Sequence, residues 1–197
     1  MKQITVIKTH NLISALIFFI ITLPVAGQCK PLFIGDSLTY ELAVSYKNRA
    51  PVDARFLEST GLQSVKLLDW QNYIQEMNFR KYDTIYVVLG TNDLISEREL
   101  NDYHKKARQF IRVIKQQNNN IVWLLPPTLE NNRKNQMLDN TRAAIISAAA
   151  REGIRTLDMR SALGEHYVSS LNGMRIRTND GIHITSQGAN TVINMLM

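Results

Sequence analysis

The stretch LFIGDSL, residues 32–38, is a short apolar run that stops at Gly-Asp-Ser and continues into a helix-like segment. Its apolar part predicts the end of a buried parallel strand, and Gly35 permits a tight turn. Ser37 would then stand at the N-terminus of a helix, where free backbone N–H groups and the helix dipole favour negative charge. Two interpretations follow. Ser37 is either a nucleophile whose own N–H helps to hold an oxyanion, or part of a turn that caps the helix.

The rest of the chain alternates strands and helices in the same way. The clearest strand is predicted at 84–89, because this run is β-branched and apolar on both faces. Further strands are predicted at 52–57, 121–125 and 154–157, and helices at 38–49, 97–117, 132–152 and from 186 onward, with a short helix capped by Asp69. This order predicts an α/β fold with three α/β/α layers, a flavodoxin-like doubly wound parallel sheet of about five strands.

The N-terminal residues are typical of a secretory signal. Two lysines precede an apolar run at 12–23, and the small residues 25–27 (VAG) provide a cleavage site. We therefore predict a signal peptide at 1–27 and a single domain at 28–197, exported to the periplasm or secreted. A membrane anchor is disfavoured, because the apolar run is shorter than the roughly 20 residues that span a bilayer.

Composition excludes some classes of protein. Cys29 is the only cysteine, so no internal disulfide can form. A lipid anchor through Cys29 is disfavoured, because Gln28 stands where a lipobox has a small residue. The net charge is +6, but the basic residues are scattered among acidic ones, so nucleic-acid binding has no support. The sequence identifies no protein partner.

Polar residues follow three of the predicted strands, at 35–37 (GDS), 60–61 (TG) and 90–93 (GTND). The carboxyl ends of parallel strands share one edge of the sheet, which is where ligands bind in such folds. A fourth segment, 180–183 (DGIH), precedes the last helix in a loop that can return to this edge. A serine nucleophile needs a base, and the base needs an orienting carboxylate, so this loop can supply both.

The four segments match in order the blocks of the SGNH hydrolases, also called the GDSL family, and the chain resembles this family over almost all of residues 28–197. The resemblance implies an SGNH hydrolase fold and a serine esterase that needs no cofactor. It implies Ser37 as the nucleophile, His183 as general base and acid, and Asp180 as the group that orients His183. The backbone N–H groups of Ser37 and Gly61 and the side-chain amide of Asn92 would form the oxyanion hole. Gly61 has a second interpretation, as an ordinary turn glycine.

The family's known reactions leave several substrates open. They include deacetylation of carbohydrates, hydrolysis of lipid and thioester acyl groups, and acyl transfer. Export favours an O-acetyl group on a cell-envelope glycan, while acylated small molecules and lipids stay open. An O-acyltransferase would use the same residues, and product analysis would separate it from a hydrolase. A non-catalytic envelope binding module on this scaffold would not need all of Ser37, Asn92, Asp180 and His183.

Other polar residues have simpler interpretations. His166 is the alternative base, and His104 is expected on a solvated helix face. No group of His, Asp and Glu has convincing metal spacing, since Asp-x-x-His lacks a third ligand. The segment 159–177 shows no regular pattern, and we expect it to form a wall of the substrate cleft. Its arginines, Arg175 and Arg177, would bind an anionic group or serve a structural or solvated role.

Overall fold

A five-stranded parallel sheet forms the middle layer of the molecule. The structure, a computed structural model, describes residues 30–197, so the predicted signal peptide and Cys29 lie outside the described residues. The strand order is β2-β1-β3-β4-β5, and every neighbouring pair is parallel. This confirms the predicted sheet. The strands are β1 (Lys30–Gly35), β2 (Asp53–Phe56), β3 (Tyr82–Val88), β4 (Ile121–Leu125) and β5 (Arg155–Asp158).

Helices cover both faces of the sheet and complete the three layers. They are α1 (Leu38–Lys47), α2 (Trp70–Tyr73), α3 (Leu100–Lys115), α4 (Asn132–Glu152), α5 (Arg160–Leu163) and α6 (Ser186–Ile193). Helices α1, α5 and α6 pack together on one face, and α2, α3 and α4 on the other. In the part of the chain that the structure describes, no helix has the length and apolar character to cross a bilayer.

The central position of β3 explains its sequence. Ile85 and Val87 face the core beneath α3 and α4, while Tyr86 and Val88 face the core beneath α1 and α6. Both sides of the strand are buried, so the run is apolar without alternation. The edge strands β2 and β5 are partly exposed and carry more polar residues.

Both tryptophans are buried, and each also positions a loop. The indole N–H of Trp70 donates to Thr60 Oγ1 at 3.0 Å, and that of Trp123 donates to the backbone oxygen of Leu89 at 3.0 Å. Asp69 caps α2 by accepting backbone N–H groups from its first turn. The core therefore fixes the two loops that follow β2 and β3.

The segment 159–177 is more regular than its sequence pattern indicates. After α5, strands β6 (Ser170–Leu171) and β7 (Met174–Arg175) form a small antiparallel hairpin. Asn172 and Gly173 connect them with φ angles of 51° and 75°. Asn-Gly is the typical pair for such a turn, but strands of two residues are too short to show alternation.

The turn after β1 has no space for a side chain on Gly35, where a Cβ atom would overlap the Val88 carbonyl. Gly173 also has a positive φ but faces open space. We expect Gly173→Ala to cost about 1 kcal/mol through backbone strain alone. We expect Gly35→Ala to cost at least about 3 kcal/mol, because steric overlap is added. Urea unfolding measures both, and equal losses would contradict the steric argument.

Candidate active site

Ser37 begins α1 directly after the turn that ends β1. The N–H of Asp36 donates to the backbone oxygen of Val88 at 2.8 Å, and the N–H of Leu38 donates to Asp36 Oδ1 at 3.0 Å. These bonds fix the backbone on both sides of Ser37. Its side chain makes no capping hydrogen bond to the helix. The Ser37 hydroxyl therefore has another partner, His183.

Ser37, His183 and Asp180 form a continuous hydrogen-bonded chain. Ser37 Oγ lies 2.8 Å from His183 Nε2, and His183 Nδ1 lies 2.7 Å from Asp180 Oδ2. The other carboxylate oxygen, Asp180 Oδ1, accepts the hydroxyl of Thr178 at 2.7 Å and the N–H groups of Ile182 and His183 at 2.8 and 2.9 Å. The loop therefore holds the Asp180 carboxylate in place, and the carboxylate in turn orients the imidazole of His183.

These contacts determine the tautomer of His183. Partial burial raises the pKa of Asp180, but the hydrogen bonds from His183, Thr178 and Ile182 outweigh it and hold the pKa well below its ordinary value. The ionised carboxylate only accepts, so Nδ1 of a neutral imidazole carries the proton. Nε2 then presents its lone pair to the hydroxyl proton of Ser37, as a general base requires.

The loops that follow β2 and β3 meet across the end of β1, which lies between these two strands. The side-chain amide of Asn92 donates to the backbone oxygen of Thr60 at 2.9 Å, using one of its two N–H bonds. Gly61 follows directly and is buried. The structure thus places both predicted oxyanion donors, Gly61 and Asn92, in one joined pair of loops at the strand end that carries Ser37.

Asp93 holds this junction together. Its side chain is 2% exposed and accepts the N–H groups of Leu62 and Gln63 at 2.8 and 2.9 Å. The hydroxyl of Tyr103 on α3 donates to it at 2.7 Å. A Cβ atom on Gly61 would overlap the Asp93 carboxylate. Asp93 therefore fixes the loop after β2 as well as its own loop, and it excludes any residue larger than glycine at position 61.

A second carboxyl group, that of Asp36, is buried next to Ser37 in the chain. It is fully buried, and its Oδ2 atom has no hydrogen-bond partner among the described residues. Burial raises the pKa of Asp36 to about 7, against the hydrogen bond from Leu38, and the nearby charge of Asp93 raises it further. No sequence pattern indicates this pairing of two acids.

Arg177 has the structural role among the alternatives that the sequence left open. It is 1% exposed, its Nη2 donates to the backbone oxygen of Thr128 at 2.6 Å, and its guanidinium lies 5.2 Å from the centre of the Tyr167 ring. Arg177 also forms a β-bridge with Ile184, so it spans the base of the Asp180–His183 loop. No local sequence pattern reveals a bond to a carbonyl so distant in the chain.

The other two histidines of the described residues, His104 and His166, do not contact Ser37. His166 is exposed on the wall of a separate cavity, and it is His183 that lies against the Ser37 hydroxyl. His104 is half-buried on α3, not fully solvated as expected, and burial together with Arg108 lowers its pKa. Among residues 30–197, no three His, Cys, Asp or Glu side chains converge as a metal site.

Comparison with known proteins agrees with this geometry. The family described as "Protein of unknown function (DUF459)", an SGNH-like family, matches residues 30–197, whereas no curated protein is significantly similar in sequence. A putative lipolytic protein of the G-D-S-L family from Desulfitobacterium hafniense DCB-2 is 16% identical with a TM-score of 0.67, covering 85% of this chain and 97% of its own.

Two esterase structures are similar to a comparable degree. An acetyl xylan esterase is 14% identical with a TM-score of 0.66, over 85% of this chain and 98% of that chain. A carbohydrate acetylesterase from Sinorhizobium meliloti is 13% identical with a TM-score of 0.63, over 86% of this chain and 96% of that chain. The predicted resemblance is confirmed, and the chain has the SGNH hydrolase fold.

The buried carboxyl of Asp36 predicts a pH-dependent stability. An unfolded chain releases this proton near pH 3.8, but the folded chain keeps it up to about pH 7. Stability from this group is therefore fully present below pH 3.8 and falls as the pH rises to about 7. We expect the free energy of unfolding to fall by about 4 kcal/mol over this range, at roughly 1.4 kcal/mol per pKa unit. This decrease should be absent in Asp36→Asn.

Urea unfolding of both proteins from pH 4 to 7 measures this difference. Asp102→Asn is the matched control, because Asp102 is exposed on α3 and pairs only with exposed Lys105. Its unfolding free energy should follow that of the wild type with pH. Parallel curves for Asp36→Asn and wild type would contradict the assignment.

Proposed function

The chain belongs to the DUF459 family, and we propose that it is a serine esterase that hydrolyses an ester-linked acyl group through an acyl-enzyme intermediate. The observation that carries the proposal is the contact between Ser37 Oγ and His183 Nε2 at 2.8 Å, with Asp180 on the other ring nitrogen. A serine that merely capped a helix would need neither partner. The structural neighbours named as lipolytic proteins and esterases support the same class of reaction.

Acylation begins with proton transfer from Ser37 Oγ to His183 Nε2. The oxygen attacks the ester carbonyl, a C–O bond forms, and the carbonyl electron pair moves to its oxygen. Asp180 stabilises the imidazolium that results. When the bond to the alcohol breaks, the leaving oxygen takes the proton from Nε2. Water then repeats these steps on the acyl-enzyme, releasing the carboxylic acid and restoring Ser37.

The developing oxyanion needs donors that are already in place. The backbone N–H groups of Ser37 and Gly61 and the second amide N–H of Asn92 are the proposed donors. Support comes from the bond between Asn92 and Thr60 and from the Asp93 contacts that fix the Gly61 loop. Donors fixed in advance need no reorganisation as the charge develops.

The substrate we propose is an O-acetyl group on a cell-envelope glycan. The secretory character of residues 1–27 supports a site of action outside the cytoplasm, in the periplasm or beyond. The neighbours named as an acetyl xylan esterase and a carbohydrate acetylesterase support a sugar ester.

We expect wild-type protein to release a burst of p-nitrophenol from short acyl esters. Ser37→Ala and His183→Ala should each reduce kcat at least about 1,000-fold, because nucleophile and base act as one unit. Ser147→Ala, on an exposed position of α4, is the control and should retain full activity. If neither the wild type nor the control hydrolyses any ester from acetyl to octanoyl, the esterase proposal fails.

The role of Asn92 is tested separately. Asn92→Ala should lower kcat by about 100- to 1,000-fold with little change in KM, because an oxyanion donor acts in the transition state. Asn120→Ala is the matched control, since it removes a similar amide bond, 2.8 Å to the Asp83 carbonyl, at the opposite end of the sheet. An equal effect of the two variants on kcat would reject an oxyanion role for Asn92.

A further inference from the structure

A cavity of about 580 Å³ lies beside the catalytic loop and is not used by the chemistry described above. One wall comes from the loop after β4 and the start of α4, including Glu130 and Asn132. The other comes from the segment after α5, including His166 and Tyr167. Its only aliphatic lining residue is Leu138. Sites for apolar ligands are lined mostly by apolar side chains, so an acyl chain does not suit this cavity.

The two arginines of the cavity wall are already paired with carboxylates. Arg160 pairs with Asp158 at 3.2 Å, Asp139 at 3.4 Å and Glu165 at 3.7 Å. Arg142 is buried and pairs with the same Asp158 at 2.5 Å. No arginine of the wall is therefore left to hold a phosphate or carboxylate, which argues against an anionic ligand.

Three polar side chains of the wall have unused hydrogen-bonding capacity. Within residues 30–197, Glu130, Asn132 and His166 make no side-chain hydrogen bond or ion pair. A carboxylate accepts hydrogen bonds from hydroxyl groups, and an amide or a neutral imidazole can donate to them or accept from them. Tyr167 adds an aromatic ring whose position is fixed by Arg177. Uncharged ligands with many hydroxyl groups and an apolar ring face, such as sugars, match this set.

Glu130 links the wall of this cavity to the loop of His183. The backbone N–H of Glu130 donates to the oxygen of Gly181 at 3.0 Å. A second cavity of about 350 Å³ shares Glu130 and is lined by Asp180 and Ile182. The two walls are also tied together, because Thr128 Oγ1 donates to the oxygen of Glu165 at 2.7 Å. A ligand here would lie on the side of the site that carries His183.

We propose that this cavity binds the sugar that carries the ester, with Glu130, Asn132 and His166 as specificity-determining residues. The inference rests on the proposed esterase function. When the ester C–O bond breaks, the sugar oxygen takes the proton from His183 Nε2, so the sugar must lie beside the loop of His183. The polar cavity adjoins that loop.

The test compares two acetyl esters that differ in their alcohol. One is p-nitrophenyl acetate, and the other is an O-acetylated trimer of xylose or N-acetylglucosamine. His166→Ala and Asn132→Ala should each lower the ratio of kcat/KM for a sugar ester to that for p-nitrophenyl acetate by about 3- to 10-fold, the effect of one hydrogen bond. His104→Ala, on α3 away from the cavity, is the matched control and should change neither value. An unchanged ratio in both variants, or no hydrolysis of either sugar ester by an active enzyme, overturns the inference.

A binding measurement separates failure of this inference from failure of the esterase proposal. Calorimetry with unacetylated trimers and the Ser37→Ala protein requires no turnover. In the Ser37→Ala protein, the second substitution His166→Ala should weaken binding of the trimer that binds more tightly by about 3- to 10-fold. If the wild type hydrolyses no ester but His166→Ala still weakens sugar binding, the esterase proposal is wrong and the sugar site is supported. If neither trimer binds, or the second substitution has no effect, the sugar site fails.

Discussion

The candidate active site depends on the hydrogen bonds that the buried side chain of Asp93 accepts. It accepts N–H groups from the loop after β2 and a hydroxyl from α3, while its own backbone oxygen accepts the hydroxyl of Thr141 on α4. Elements from three parts of the chain thus meet at one residue. Since a buried carboxylate is costly without donors, loss of the N–H groups or of the Tyr103 hydroxyl would destabilise this arrangement. The loop carrying Gly61 is positioned over the end of β1 for this reason.

The sequence was informative where the relevant contacts are local. Asp180 and His183 lie three residues apart in one loop, Asp69 caps its own helix, and the apolar run of β3 follows from burial on both faces. These features predicted the sheet, the main helices and the candidate nucleophile, base and orienting acid. The contacts that could not be predicted join residues far apart in the chain. Arg177 bonds a carbonyl 49 residues away, and nothing in its neighbourhood indicates burial.

Two acidic side chains, each energetically unfavourable to bury, lie together at the candidate active site. Asp36 and Asp93 are buried close enough for their charges to interact, directly below the turn that presents Ser37. Their burial opposes folding, whereas the surrounding core favours it. The indole N–H groups of Trp70 and Trp123 link that core to the adjacent loops through Thr60 and Leu89. Strongly packed tryptophans thus support a polar region that would be unstable alone.

The hairpin of β6 and β7 and the turn before it lie outside the parallel sheet, yet the same segment supplies His166 and Tyr167 to the cavity wall. None of the hydrogen bonds that join Ser37, His183 and Asp180 involves this segment. Exposed positions of this segment, such as His166, can therefore differ among relatives without changing those hydrogen bonds, whereas Tyr167 is constrained by its contact with Arg177 at the base of the His183 loop. Under the proposed function, this separation lets relatives differ in the acylated alcohol that they accept while the same residues carry out the reaction.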